Sequence, residues 1–338
     1  MFGFAVVVKR IYMPVLVLAV LVAGTALAHA QESYTPPPAD PPPYTNPVVA
    51  GNFPDPTAVR IGPEYWAIAT APIRGRPPIM RSPDLVNWTL AGYLFADPPA
   101  WSSGTQLWGP SLERFGDNYL VYYSARKKYG RPCVTVADSP NPIGPYTDHG
   151  PLICGPVASI DPSVVDNNHG RPYLVWKENG GDKPSSIWTQ PLSFDGLQLV
   201  GMAHKIMVGR RDNWEGGLVE GPRIVRRGGW LYLFYSGGNC CAPTTCKYTL
   251  GVARARSIYG PWRRAKKPLL ASTKSWKCPG TGAVLQTPSG HWWLLYHGYR
   301  ARGSTHRGRE MLLDLVHWSR DGWPWIKPGS RPVTAAKG

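Results

Sequence analysis

Five runs of aromatic and β-branched residues, spaced at near-equal intervals, constrain this chain more than any other feature. They are Tyr65-Trp66-Ala67-Ile68-Ala69, Tyr119-Leu120-Val121-Tyr122-Tyr123, Tyr173-Leu174-Val175-Trp176, Leu231-Tyr232-Leu233-Phe234-Tyr235 and Trp292-Trp293-Leu294-Leu295-Tyr296. Each follows a turn, and before the turn stands an apolar stretch opening on a small motif. The openings are Asp55-Pro56, Gly109-Pro110, Asp161-Pro162, Glu220-Gly221-Pro222 and Gly280-Thr281-Gly282. Starts at 55, 109, 161, 220 and 280 lie 54, 52, 59 and 60 residues apart. A steady period of that length, with room for four strands, is the mark of a propeller blade. The chain therefore reads as all-β, a five-bladed β-propeller with about four antiparallel strands per blade. The five runs are its second strands. Arg81-Ser82-Pro83-Asp84, Ala137-Asp138-Ser139-Pro140 and Ala253-Arg254-Ala255-Arg256 echo one another as outer strands and turns.

The repeat places one domain at 47–332, followed by a short tail, 333–338. Upstream, Lys9 and Arg10 precede an apolar run from Ile11 to Val22 and then Ala28-His29-Ala30. That order reads as a signal peptide over 1–30, since the run is short for a membrane span and contains Pro14. Residues 31–46 are dominated by proline and read as an extended linker. Export to an extracellular or periplasmic space makes disulfides the first reading of six cysteines. Cys133 and Cys154 are neighbours, while Cys240, Cys241, Cys246 and Cys278 allow three pairings. Zinc would want paired Cys-x2-Cys spacing, which the second group lacks.

The net charge is +16, yet Lys and Arg are scattered, without a basic run or recognition-helix pattern. Nucleic acid is thereby disfavoured, and affinity for an acidic cell wall is the functional option. No membrane partner is expected after signal cleavage, and a monomer is expected. Fifteen Trp and 17 Tyr exceed the ordinary needs of a core. Some of these rings are expected to face sugars in a cleft. There is no Gly-x-Ser-x-Gly elbow, His-Glu-x-x-His helix or phosphate-binding glycine loop.

In a propeller the first strand of each blade lines the central channel, so equivalent positions converge on one axis. Asp55, Asp161 and Glu220 are read at that position in blades one, three and four, with glycine in the other two. Glycoside hydrolysis needs one acid to protonate the leaving oxygen and one carboxylate to activate water or attack carbon. A third acid can tune the proton donor by like-charge repulsion. Phe53, Trp108 and Trp176 adjoin these motifs or their paired strands and are the aromatics expected to wall the sugar subsite.

Asn52-Phe53-Pro54-Asp55-Pro56, Ile160-Asp161-Pro162-Ser163, Val219-Glu220-Gly221-Pro222 and Leu294-Leu295-Tyr296-His297-Gly298 resemble the ordered motifs of glycoside hydrolase family 43. The resemblance runs from Pro47 to about Pro332. It implies a secreted, inverting enzyme for arabinofuranosyl or xylosyl linkages in glycans such as arabinan or arabinoxylan. It makes Asp55 the general base, Glu220 the general acid and Asp161 the residue that tunes and orients Glu220. Arg309 resembles an arginine that reaches the sugar. His297 resembles a histidine at the channel bottom that ligates a structural ion; a buried, hydrogen-bonded histidine is the other reading. No cofactor is required by the resemblance. It allows a structural calcium or other ion in the channel, although Thr281 stands where many relatives carry a histidine ligand. Cys278 suggests a disulfide to the Cys240–Cys246 loop.

Competing readings are a non-catalytic glycan-binding propeller and a related furanosidase for fructosides or galactofuranosides. The fructoside reading expects Arg-Asp-Pro and Glu-Cys, where this chain has Ile160-Asp161-Pro162 and Glu220-Gly221-Pro222. The sugar, its linkage, and internal or terminal cutting depend on rim loops at 96–107 and 237–248.

Overall fold

Each aromatic run is apolar on both of its alternating faces, a pattern that demands a packed neighbour on either side. The computed structural model satisfies that demand by placing each run in a sheet between two others. It describes residues 1–3, 40–71, 76–166, 170–302 and 308–327. Most of the expected signal peptide, the linker up to residue 39 and the expected tail lie outside the described residues. Among the described residues there is no α-helix, and no helix is long and apolar enough to cross a membrane.

Blade one consists of β1 (Thr57–Ile61), β2 (Glu64–Ile68), β3 (Pro78–Ser82) and β4 (Thr89–Tyr93). Blade two holds β5 (Trp108–Phe115), β6 (Asn118–Arg126), β7 (Pro132–Ser139) and β8 (Thr147–Ile153). Blade three holds β9 (Ser159–Asp166), β10 (Pro172–Glu178), β11 (Ser186–Pro191) and β12 (His204–Val208). Blade four holds β13 (Glu220–Arg227), β14 (Trp230–Gly237), β15 (Thr249–Ala255) and β16 (Arg263–Arg264). Blade five holds β17 (Trp276–Gln286), β18 (Trp292–Arg300), β19 (Glu310–Trp318) and β20 (Pro324–Trp325). Each is an antiparallel four-stranded meander.

Five apolar clusters fill the five gaps between blades. Trp66 and Ile68 of β2 face Val121 and Tyr123 of β6, while Leu120 and Tyr122 face Leu174 and Trp176 of β10. Tyr65 and Ala67, on the opposite face of β2, pack on Trp293 and Leu295 of β18. The ring is thus closed from blade five back to blade one.

The N-terminal segment reinforces that closure. Residues 40–46, read from sequence as linker, are held on blade five: Tyr44 is buried and donates to the Leu313 carbonyl at 2.6 Å. Asn46 exchanges two hydrogen bonds with the Leu313 backbone, and Asp40 pairs with His291 at 2.7 Å. Val49 then bridges to Met311. Proline content hides this contact, because the docking rests on three scattered side chains.

The repeat has a common irregularity at its opening. One residue per blade adopts a left-handed backbone: Asp55 (φ 53°), Gly109 (φ 51°), Asp161 (φ 56°), Gly221 (φ 57°) and Thr281 (φ 29°). In blades two to five it falls where the first strand bulges against the second. The equivalent of Asp55 and Asp161 in blade four is therefore Gly221. Glu220 stands one residue upstream, which corrects the register read from sequence.

The cysteines pair as Cys133–Cys154, Cys240–Cys241 and Cys246–Cys278. The last ties the 237–248 loop to the start of β17.

Gly109 combines its left-handed backbone with a close neighbour: a Cβ there would sit 2.6 Å from Asp161 Oδ1. Gly109→Ala should therefore cost about 1–3 kcal/mol from backbone strain alone, with the collision added to it. Denaturant unfolding checks this; an unchanged midpoint would contradict the packing described.

Candidate active site

The left-handed residues turn their backbone N–H groups toward the preceding blade, where one position on each second strand receives them. Thr70 Oγ1 accepts from Gly109 N at 2.9 Å, and Ser124 Oγ from Asp161 N at 3.0 Å. Ser236 Oγ accepts from Thr281 N at 2.9 Å, and His297 Nδ1 from Asp55 N at 3.1 Å. Lys177 occupies the fifth position, opposite Ile160. An ammonium has no lone pair to offer. Gly221 N is instead taken by the Asp161 carboxylate, Oδ2 at 3.0 Å. The ring of contacts brings Asp55, Asp161 and Glu220 to one end of the channel.

Asp55 lies among donors. Arg309 Nη1 reaches Oδ1 at 2.9 Å, and Thr70 Oγ1 donates to Oδ2 at 2.7 Å. Burial pushes this carboxyl up, but the Arg309 charge and then the Thr70 hydrogen bond oppose it and hold it well below the usual carboxylate range. Asp55 is consequently an ionised carboxylate at any ordinary pH.

Asp161 is in the opposite condition. Burial and then the neighbouring Glu220 charge push it up to about 7, with Asp55 adding to the rise and Lys177 and the Gly221 N–H opposing it. Glu220 is 9% exposed and pairs through Oε2 with Lys177 Nζ at 2.6 Å. The channel thus sets a fixed anion, Asp55, near Asp161, a carboxyl that holds its proton up to about pH 7. Tyr248 forms part of the wall: its phenol is pushed up by burial and by Glu220, Asp55 and Asp161, all of which face it.

Arg223 lies half-buried beside the proline-bearing openings, where it donates to the carbonyls of Pro162 at 2.8 Å, Pro222 at 3.4 Å and Pro110 at 3.3 Å. Each of those prolines follows a left-handed residue. One guanidinium therefore ties the backbones of blades two, three and four next to Asp161 and Glu220.

Among the other residues singled out in the sequence, Arg309 is in the site, but its contact is with Asp55. His297 is 1% exposed, stacks on Tyr248 and accepts from Asp55 N. Burial and then the Arg309 charge hold it below its ordinary value, so it is a neutral imidazole. Its nitrogen is engaged as a hydrogen-bond acceptor, and among the described residues no group of three or more His, Cys, Asp or Glu side chains could hold a metal ion. The buried, hydrogen-bonded histidine of the two sequence readings is what the geometry of His297 displays. Phe53 and Trp176 are also corrected: at 3% and 2% exposure they are core, filling the gaps between blades five and one and between two and three. Trp108 is partly exposed and lines a cleft of about 260 Å³ with Gln106, Arg126 and Ile160.

Lys177, Thr70 and Tyr248 escaped the sequence reading. Their signal is positional: Thr70, Ser124, Lys177, Ser236 and His297 each stand at or just beyond the end of an aromatic run, and only alignment of the five runs reveals them.

The class defined by the fold and site is a five-bladed propeller whose opening motifs bring Asp55, Asp161 and Glu220 within electrostatic reach of one another. The chain belongs to glycosyl hydrolases family 43, whose model matches residues 44–324. It is 28% identical to xylosidase/arabinosidase 43B of Humicola insolens, over 86% of this chain and 56% of that protein. It is 26% identical to the extracellular endo-alpha-(1->5)-L-arabinanase 1 of Bacillus subtilis, over 80% of this chain and 86% of that one. The crystal structure of a thermostable family-43 glycoside hydrolase superposes with a TM-score of 0.77 at 28% identity, over 85% of this chain and 97% of that chain. The chain spans little more than half the length of several curated relatives it matches, among them the Humicola protein and two xylosidases.

The raised Asp161 carboxyl gives a pH test. Its folded value, about 7, lies above the ordinary 3.8, so the folded state binds the extra proton between roughly pH 4 and 7. That stabilisation is full below pH 4 and lost as pH rises through 7. The Asp161→Asn substitution keeps an acceptor for Gly221 N and removes the titrating group. The melting temperature of Asp161→Asn minus that of wild type should therefore become more positive from pH 4 to pH 8; a difference independent of pH would contradict it.

Proposed function

We propose that this chain is a secreted glycosidase that hydrolyses arabinofuranosyl or xylosyl linkages in cell-wall glycans with inversion of configuration. The observation that carries the reading is the opposite electrostatic state of two carboxyl groups in one channel. Asp55 is held ionised by Arg309 and Thr70, the state a general base needs. Asp161, beside Glu220, is pushed up to about 7 and carries a proton into the neutral range, so the acid proposed at Glu220 works next to a carboxyl that resists ionisation.

In the proposed reaction Asp55 takes a proton from a water as that water attacks the anomeric carbon. Glu220 gives its proton to the departing glycosidic oxygen, and Asp161 orients and tunes Glu220. Inversion requires a base and acid about 6.5–9.5 Å apart, leaving room for the water. His297 and Thr70 keep Asp55 from turning away, and Arg309 keeps it charged.

The sugar class follows from family membership and from the relatives' names, which include xylosidases, arabinofuranosidases and arabinanases. Secretion is supported by three disulfide pairs and by two relatives described as extracellular.

Asp55→Asn and Glu220→Gln should each lower turnover on arabinan or arabinoxylan oligosaccharides by about 10²–10⁴-fold with melting behaviour preserved. Proton NMR of the first-formed product anomer on wild-type enzyme reports the stereochemistry. Substantial turnover in either variant, or a product of retained configuration, would sink the reading.

A further inference from the structure

Lys177 breaks the pattern of its ring. The equivalent side chains in the other four blades, Thr70, Ser124, Ser236 and His297, are neutral acceptors for the next blade's N–H. A serine at this position would serve the architecture equally well. Lysine cannot accept, and the Gly221 N–H is displaced onto Asp161 Oδ2. Burying an ammonium also carries a desolvation cost. Neither consequence helps the fold. What lysine alone provides is the 2.6 Å contact with Glu220 Oε2, between side chains only 5% and 12% exposed.

We propose that Lys177 is the positioning residue of the acid step: it saturates Glu220 Oε2, so that the catalytic proton is carried and delivered by Oε1, and it stabilises the carboxylate left behind. This deepens the reading of Glu220 as general acid and rests on it. As the bond from the anomeric carbon to the glycosidic oxygen breaks, its electron pair goes to that oxygen, which takes the proton from Glu220 Oε1. Water bonds to the anomeric carbon and yields one proton to Asp55. Lys177 keeps all three of its protons throughout, and solvent later reprotonates Glu220 and deprotonates Asp55. Asp161 stands on the other side of this balance. The Glu220 charge raises the Asp161 carboxyl, and the ammonium opposes that rise. Tyr248 and His297 also feel the Glu220 charge.

The role predicts dependence on the leaving group. Departure of 2,4-dinitrophenolate needs no proton, whereas departure of a sugar alcohol does. Lys177→Met and Lys177→Ser are to be compared with wild type on an arabinofuranosyl disaccharide and on 2,4-dinitrophenyl α-L-arabinofuranoside. Both variants should lose about 10–100-fold in kcat on the disaccharide, within the usual range for acid catalysis, and under about threefold on the aryl glycoside. KM should change little. The serine variant restores the ring's acceptor, so it tests the role even if the methionine variant folds poorly. Equal losses on both substrates, or none on either, would overturn the proposal. Glu220→Gln separates the two levels: if it shows the selective loss and the lysine variants do not, only the role of Lys177 falls. If Glu220→Gln shows no selectivity, the reading of Glu220 falls and takes this one with it.

Discussion

The site depends on a backbone constraint repeated in each blade: a left-handed residue at the strand opening whose N–H must find a partner across the blade boundary. A buried, unpaired N–H costs about 1–3 kcal/mol, so all five cannot be left orphaned. Each is satisfied by a side chain of the preceding blade or, for Gly221, by Asp161. The same bonds fix the angle between blades and aim the opening residues at the axis. Aspartate tolerates the left-handed region better than most residues, which allows two of the five places to carry a carboxylate. At Gly109 the absence of a side chain leaves room for Asp161.

From that ring the electrostatics follow. His297, as the last acceptor, meets Asp55 through its backbone and brings an aromatic partner, Tyr248, under all three acids. Arg309, at the start of β19, finishes the Asp55 pocket. On the far side, replacing a neutral acceptor by Lys177 gives Glu220 a cation and leaves Asp161 to hold Gly221. Two carboxyls that would otherwise repel without relief are thereby held together, one linked to an ammonium and one to a peptide N–H. Arg223 locks three of the openings from the side. Separation of proton affinities between Asp55 and Asp161 is a consequence of architecture, and the chemistry proposed for the channel draws on it.

Much of this was legible in the chain. Unbroken runs of large apolar residues identified the second strands, because each is buried on both faces, and the spacing of their openings counted the blades. The convergence of three acids was legible for the same reason. The one-residue offset of Glu220 was not, since a bulge leaves no trace in the spacing of Glu220-Gly221-Pro222. Phe53 and Trp176 were misplaced because adjacency along a strand says nothing of which face a ring takes, and theirs points into a blade interface. Lys177 follows Trp176 directly, yet its meaning appears only when blade three is laid over the other four.

The central claim is that the channel keeps Asp55 ionised while an adjoining aspartate carries a proton near neutrality. Carbon-13 NMR of aspartate carboxyls, titrated from pH 3 to pH 9, addresses it directly. One aspartate should titrate near pH 7 and disappear from the spectrum of Asp161→Asn, while the resonance lost in Asp55→Asn stays ionised to the acid limit. If every aspartate were fully ionised by pH 5, Asp161 would not carry the proton that the account assigns to it, and the account would be wrong.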